Sequence, residues 1–362
     1  MIKSLGRIAA ALGVVCFVFA FARAQSASLS QPPSTRAGVV AFRGTLGGKI
    51  AIQMRLRREG DRLSGSYFYE SVLKDLSLRG TIDAAGAFTL EEFDAAGART
   101  GLFKGRWSGP TCEDCGDSLT GKWTRPDGTR PLEFTLGEYP VSFEGDTRLV
   151  SKSLKESKRQ GKWGGYEISA EYPQLQGGGA NALKFNEAVR AFVLKDVADY
   201  KKQFGEGEGG GGELDLSYYV SFADDSLVSV DFSDYWFYFG AGSRMAASTT
   251  FNYDLARGRQ LKLSDLFKPS TDYLKVITET CKMELKRQFE GESFPDAERI
   301  GASVEDVVGD EKKWLISRDG FVVIFDSMQF GPSGSGEHTV VVPFAALKNF
   351  IRPDGPLAPL SK

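Results

Sequence analysis

Leu63-Ser64-Gly65-Ser66-Tyr67, Leu78-Arg79-Gly80-Thr81-Ile82, Phe103-Lys104-Gly105-Arg106-Trp107 and Leu119-Thr120-Gly121-Lys122-Trp123 repeat one pattern. Each sets a glycine midway between two large apolar residues. Side chains alternate across a strand, so all three fall on one face. A glycine between two large inward residues permits a bend or a close strand approach, as a small closed barrel requires. Around these copies lie further strand-like runs at 39–43, 49–57, 87–93 and 130–136. Turn residues separate them: Gly47-Gly48, Glu59-Gly60-Asp61, Asp83 to Gly86, Ala95-Ala96-Gly97 and Pro126-Asp127-Gly128. Such spacing predicts an up-and-down antiparallel β-barrel of about eight strands over residues 38–140.

The barrel so predicted resembles a small lipocalin-like barrel. Barrels of this size are either filled by side chains or hold one small ligand, and the inward aromatics favour filling. Toward the N-terminus the chain changes character. Residues 1–24 have a basic start with Lys3 and Arg7, an apolar run from Ile8 to Phe21, and Ala22-Arg23-Ala24 before Gln25. This is the pattern of a cleavable secretory signal peptide. Arg23 ends the run short of the roughly 18 to 20 residues a membrane span needs. Residues 25–37 are polar, small and Pro-rich, and read as a disordered tether. The expectation is an exported protein, periplasmic or secreted, without a transmembrane anchor.

Lys and Arg total 45 against 47 Asp and Glu, and the formal net charge is −2. Loss of Lys3, Arg7 and Arg23 with the leader makes the remainder more acidic. That argues against nucleic acid as partner, which needs a basic surface. Cys112 and Cys115 bracket Glu113-Asp114 in a loop flanked by Gly109-Pro110 and Gly116. With one histidine in the whole chain, a zinc site lacks ligands, so the expectation is a local disulfide and no metal or cofactor. Cys281 sits on a predicted helix as a buried free thiol.

Residues 141–165 read as a charged linker, and 166–355 as an α+β binding domain with two helices on an antiparallel sheet. The first helix is predicted over 180–204 from the stripe Leu183, Val189, Phe192, Val193, Val197 and Tyr200. The second is predicted over 271–289, with Leu274, Ile277, Cys281 and Leu285 on one face. The nearly all-Gly stretch 205–212 lacks the Gly-Lys-Ser/Thr ending of a phosphate loop and reads as a connector. Strands are predicted over 214–222 and 226–232, then at 248–255 and late in the chain.

Phe251-Asn252-Tyr253-Asp254-Leu255, Gly258, Leu261, Leu263 and Asp265-Leu266-Phe267 run into the second helix. Later come Arg318-Asp319-Gly320-Phe321, Met328-Gln329-Phe330-Gly331-Pro332, Gly336 and Val340-Val341-Val342-Pro343-Phe344. From Tyr166 to Ile351 the chain resembles the extracytoplasmic C-terminal domain of sigma-V-type anti-sigma factors. That domain type also accompanies exported peptidoglycan deacetylases. The resemblance implies lysozyme recognition in the first group and an accessory role in the second. Ser243 stands where members often carry a histidine. The sigma-binding region, the membrane helix and the metal-binding deacetylase residues have no counterpart, so only a binding role transfers.

A Ser-His-acid triad would have to use His338, and Ser333 and Ser335 nearby lie in a Gly-rich turn without a nucleophile elbow. Asp231 and Asp234 are a candidate carboxylate pair for a glycan hydrolase. The aromatic run Tyr235 to Phe239 should place Trp236 and Tyr238 on one face, with Tyr235 and Phe237 on the other. It serves either as core or as an exposed recognition strip. The candidate binding set is Tyr235, Trp236, Tyr238, Gly240, Gly242, Ser243 and His338. The function expected is a non-catalytic extracytoplasmic binding module, not an enzyme, whose partner is a cell-wall glycan or a lysozyme-like protein. The alternatives are a glycan hydrolase or a small-ligand carrier through the barrel.

Overall fold

The computed structural model describes residues 38–111, 116–160, 164–205, 211–239, 244–291, 296–326, 329–330 and 336–361. The leader, the tether, Cys112, Cys115, most of the Gly-rich connector, Gly240, Gly242, Ser243, Ser333 and Ser335 lie outside the described residues.

Eight strands form the first unit: β1 Val39–Leu46, β2 Ile50–Glu59, β3 Arg62–Tyr69, β4 Leu76–Ile82, β5 Ala87–Phe93, β6 Arg99–Ser108, β7 Ser118–Thr124 and β8 Leu132–Glu138. Each pairs antiparallel with the next, and β8 returns to β1, closing the barrel as predicted. The repeated glycines explain the closure. A Cβ on Gly65 would collide with the Arg55 carbonyl, and one on Gly80 with the Thr89 carbonyl. The inward neighbours Leu63, Tyr67, Leu78, Ile82, Phe103, Trp107 and Leu119 are buried together and fill the axis. This filling speaks against a carrier role. One end is plugged by buried Glu92, which accepts hydrogen bonds from Tyr67 Oη (2.7 Å), Trp123 Nε1 (2.7 Å) and Thr100 Oγ1 (2.6 Å). Leu73 has φ 61° in the β3–β4 turn, so β4 begins only at Leu76.

The second unit is built on β9 Arg148–Gln160, β10 Gly164–Gln176, β11 Gly212–Ala223, β12 Leu227–Tyr238, β13 Met245–Asp254 and β14 Arg259–Gln260. They lie in the order β14-β13-β12-β11-β10-β9. Two expectations are corrected here. Arg148–Gln160, read as part of a charged linker, is an edge strand paired along its full length with β10. Its charges reflect an exposed edge, where ladder hydrogen bonds face water on one side. The sheet is also not wholly antiparallel: β10 and β11 run parallel, joined by helix α1 Gly179–Gly205. A parallel pair needs such a crossover. Phe185, Val189, Val193, Val197 and Tyr200 of α1 bury against Ile168, Ala170, Leu214, Leu216 and Phe232 on one sheet face. Leu183, placed in that stripe from sequence, is exposed.

The opposite face receives a three-stranded antiparallel sheet: β15 Trp314–Ile316, β16 Gly320–Phe325 and β17 His338–Pro343. Helices α3 Tyr273–Gln288 and α4 Ala297–Val307 cover its far side through Ile277, Cys281, Leu285, Ile300 and Val304, with short helices α2 Leu263–Leu266 and α5 Phe344–Leu347 alongside. Cys281 is a buried free thiol, as expected, and burial pushes its pKa up to about 12. Helix α4 was not anticipated. Asp296 caps it by accepting from the Arg299 N–H at 2.8 Å, but Gly301 interrupts its apolar stripe and lowers its propensity.

The barrel is docked firmly. Arg43 binds Glu70 (2.7 Å) and lies over the rings of Tyr139 and Tyr218. Gln53 donates to the Leu149 carbonyl (2.6 Å) and Arg55 to the Phe143 carbonyl (2.8 Å). Val141 adds a parallel bridge to Ala223. No helix among the described residues is long and apolar enough to cross a membrane.

Candidate functional site

Residues of β12 alternate across the six-stranded sheet. Val228, Val230 and Phe232 face α1; Ser229, Asp231 and Ser233 face the other way, toward the three-stranded sheet. On β13 the matching outward residues are Ser248, Thr250 and Asn252. This polar row is how the two sheets attach. Asn252 Nδ2 donates to the Trp314 carbonyl (2.8 Å), and the Ile316 N–H donates to Ser229 Oγ (2.9 Å). Lys313 Nζ binds Asp326 Oδ2 (2.5 Å) and the Ser248 carbonyl (2.6 Å). Asp326 also accepts from the Ser248 N–H (2.9 Å), and Ser248 Oγ donates to Glu337.

Where this attachment loosens, a cleft of about 590 Å³ opens at the junction of the barrel, the six-stranded sheet and the three-stranded sheet. Val322, Ile324 and Val341 form an apolar wall. Tyr219, directly across the ladder from Asp231, offers a ring that is 59% exposed. At the far end Arg318 reaches from the β15–β16 turn to Glu138 of the barrel (2.7 Å). Asp231 is 7% exposed, and its Oδ1 meets no hydrogen-bond partner. Burial, then the charge of Glu337, push its carboxyl up to about 7; Asp326 and Asp234 add to this and Lys313 opposes it. Glu337 stands at the rim and is also raised, chiefly by burial of its carboxyl, although Ser248 partly offsets this.

Asp231 and Asp234 do not form the carboxylate pair proposed from sequence. Three positions apart on a strand, they point to opposite faces. Asp234 lies in a separate hollow beneath α1 with Asp196, Tyr200 and Tyr238. Burial, then Asp196, push it up to about 7. The neighbours of Asp231 come instead from far along the chain.

The aromatic run splits as the alternation predicts. Trp236 and Tyr238 are half-buried against the core beneath α1, and Gln203 donates to Tyr238 Oη (3.3 Å). Tyr235 is 45% exposed on the other face, in a hollow of about 440 Å³ with Phe237, Glu213, Asp215, Lys155 and Arg244. His338 does not join either group. Its Nδ1 pairs with Gln288 Oε1 (3.1 Å), and its ring packs on Phe289 and Phe330. It therefore ties β17 to α3. Sequence reasoning missed Tyr219, Glu337 and Asp326. The alternation of β11 marked Tyr219 as outward, but only the docked third sheet makes that position a cleft. Among the described residues, no group of three His, Cys, Asp or Glu side chains is placed to hold a metal ion.

The chain is 24% identical over 177 residues to the peptidoglycan-N-acetylmuramic acid deacetylase PdaC of Bacillus subtilis strain 168, covering 47% of this chain and 36% of that enzyme. It thus spans well under half of that relative's length. Two crystal structures of DUF3298-family proteins also match. One, from Bacteroides fragilis NCTC 9343, is 14% identical with a TM-score of 0.40, covering 60% of this chain and 97% of that one. The other, from Pseudomonas aeruginosa PAO1, is 16% identical with a TM-score of 0.42, covering 57% and 95%. Residues 264–345, the stretch that supplies Arg318, Val322, Ile324 and Glu337 to the cleft, match the family described as Protein of unknown function (DUF3298).

Proposed function

We propose that the protein is a non-catalytic, extracytoplasmic module that binds cell-wall glycan in the cleft between its sheets. The observation that carries this reading is the open Tyr219 ring set among an apolar wall and hydrogen-bonding side chains at a domain junction. Sugar rings have apolar faces that lie on aromatic rings, and hydroxyl edges that need polar partners. The peptidoglycan deacetylase relative supports a wall polymer as ligand, and the leader-like residues 1–24 support export. Titration calorimetry with peptidoglycan fragments tests the reading. Micromolar binding that Tyr219→Ala weakens about tenfold, the cost of losing one stacked ring, is the expected result. Binding to a lysozyme-like protein, with none to glycan, would replace this reading with the protein-partner one.

A second reading has its own observation. Asp231, whose carboxyl burial and Glu337 raise to about 7, is partly protonated at neutral pH, as a general acid in glycoside hydrolysis is. Release of reducing ends from purified glycan, abolished by Asp231→Asn, would establish it.

A further inference from the structure

We propose that the Asp231 end of the cleft takes a primary ammonium group carried by the ligand. This rests on the glycan reading. Three observations lead to it. First, Asp231 is buried, lines the cleft, and has an oxygen with no donor from the protein. A buried carboxylate without donors is unfavourable, and a ligand that brings both donors and positive charge removes that penalty.

Second, the charges around it are unbalanced. Asp231 and Glu337 both line the cleft, with Asp326 behind them. Lys313, the cation among them, is held by Asp326 and the Ser248 carbonyl. At the other end, Arg318 is engaged by Glu138. An anionic group would be repelled here, and a neutral one would leave the acids unmatched. Third, the acceptors suit an ammonium better than a metal ion. The described acids are not placed as a metal cage. Thr250 Oγ1, buried and without a hydrogen-bond partner, lies across the β12–β13 ladder from Asp231. An ammonium has three N–H donors, and the Tyr219 ring beside it adds a cation–π face.

Two parts of a wall polymer carry such a group: a sugar whose amine is free, and a diamino acid of the stem peptide. Calorimetry at pH 7 with the glucosamine tetramer and the N-acetylglucosamine tetramer tests the first. A lysine-terminated muramyl tripeptide, with its ε-amine free or acetylated, tests the second. In one pair the free amine should bind about tenfold tighter, as charge-assisted hydrogen bonds imply. Asp231→Asn should erase that preference. Glu337→Gln, at the rim, should reduce it in a chain whose circular dichroism is unchanged. Equal affinity for free and acetylated forms in both pairs overturns the ammonium site and leaves the glycan reading standing. Absence of binding by all four ligands overturns both.

Discussion

At the scale of single residues, Asp231 ties folding to pH. Its carboxyl titrates near 7 in the folded chain, against about 3.9 when unfolded. Between those values the folded state holds a proton that the unfolded state has released. Stability therefore falls as pH rises through this window, and the penalty is complete above the folded value. Asp234 acts in the same direction from the other face of the sheet. Asp231→Asn, which mimics the protonated acid, should leave stability almost unchanged near pH 3, below both values. At pH 8 it should raise stability by roughly 2 to 4 kcal/mol, measured by urea unfolding. Equal effects at both pH values would refute this account. The position of Asp231 on an outward, polar register could be read from Ser229-Val230-Asp231-Phe232-Ser233. Its environment could not, because Glu337 and Lys313 are far away in sequence and arrive only when the third sheet docks.

At the scale of elements, the barrel strands were legible to within a few residues at their ends, since each combines period-two burial with a clear turn. The central glycines make a sharp test of that reading. Gly65→Ala and Gly80→Ala each force a Cβ onto a neighbouring carbonyl. Either should cost about 2 to 4 kcal/mol, as overpacking and backbone displacement do. Gly97→Ala, where a Cβ meets nothing, should cost less, because only its φ of 79° is strained. Thermal melts of the three variants compare them directly. Strand β9 was the element most misread. Ser151-Lys152-Ser153-Leu154-Lys155-Glu156-Ser157-Lys158 shows little apolar alternation, because within it Leu154 alone packs, partly buried, against the core. Hydrophobic pattern identifies strands that bury a face and is nearly silent on edges that hold their place by hydrogen bonds.

At the scale of the whole molecule, the barrel and the second unit meet through Arg43, Glu70, Gln53, Arg55 and Arg148. Arg148 pairs with Asp75 (2.7 Å) and lies over Phe68. With this interface the two units should unfold together in one calorimetric transition. Glu70→Ala leaves Arg43 partly buried without its partner, which should cost roughly 1 to 3 kcal/mol and lower the melting temperature. If instead the wild-type trace resolves two transitions that the variant leaves unchanged, the interface is not a source of cooperativity. The same arrangement bears on crowding. Beyond Leu149, whose carbonyl Gln53 takes, the β9 edge offers its backbone to any passing chain. Lys152, Lys155, Lys158 and Arg159 line it as like charges, so two copies that approach edge to edge repel before a ladder can form. Exchanging those lysines for threonine would keep the strand and remove the guard. Dilute solutions should then scatter light as fibrous stacks grow, which identifies the charged stretch as the molecule's protection against polymerising with itself.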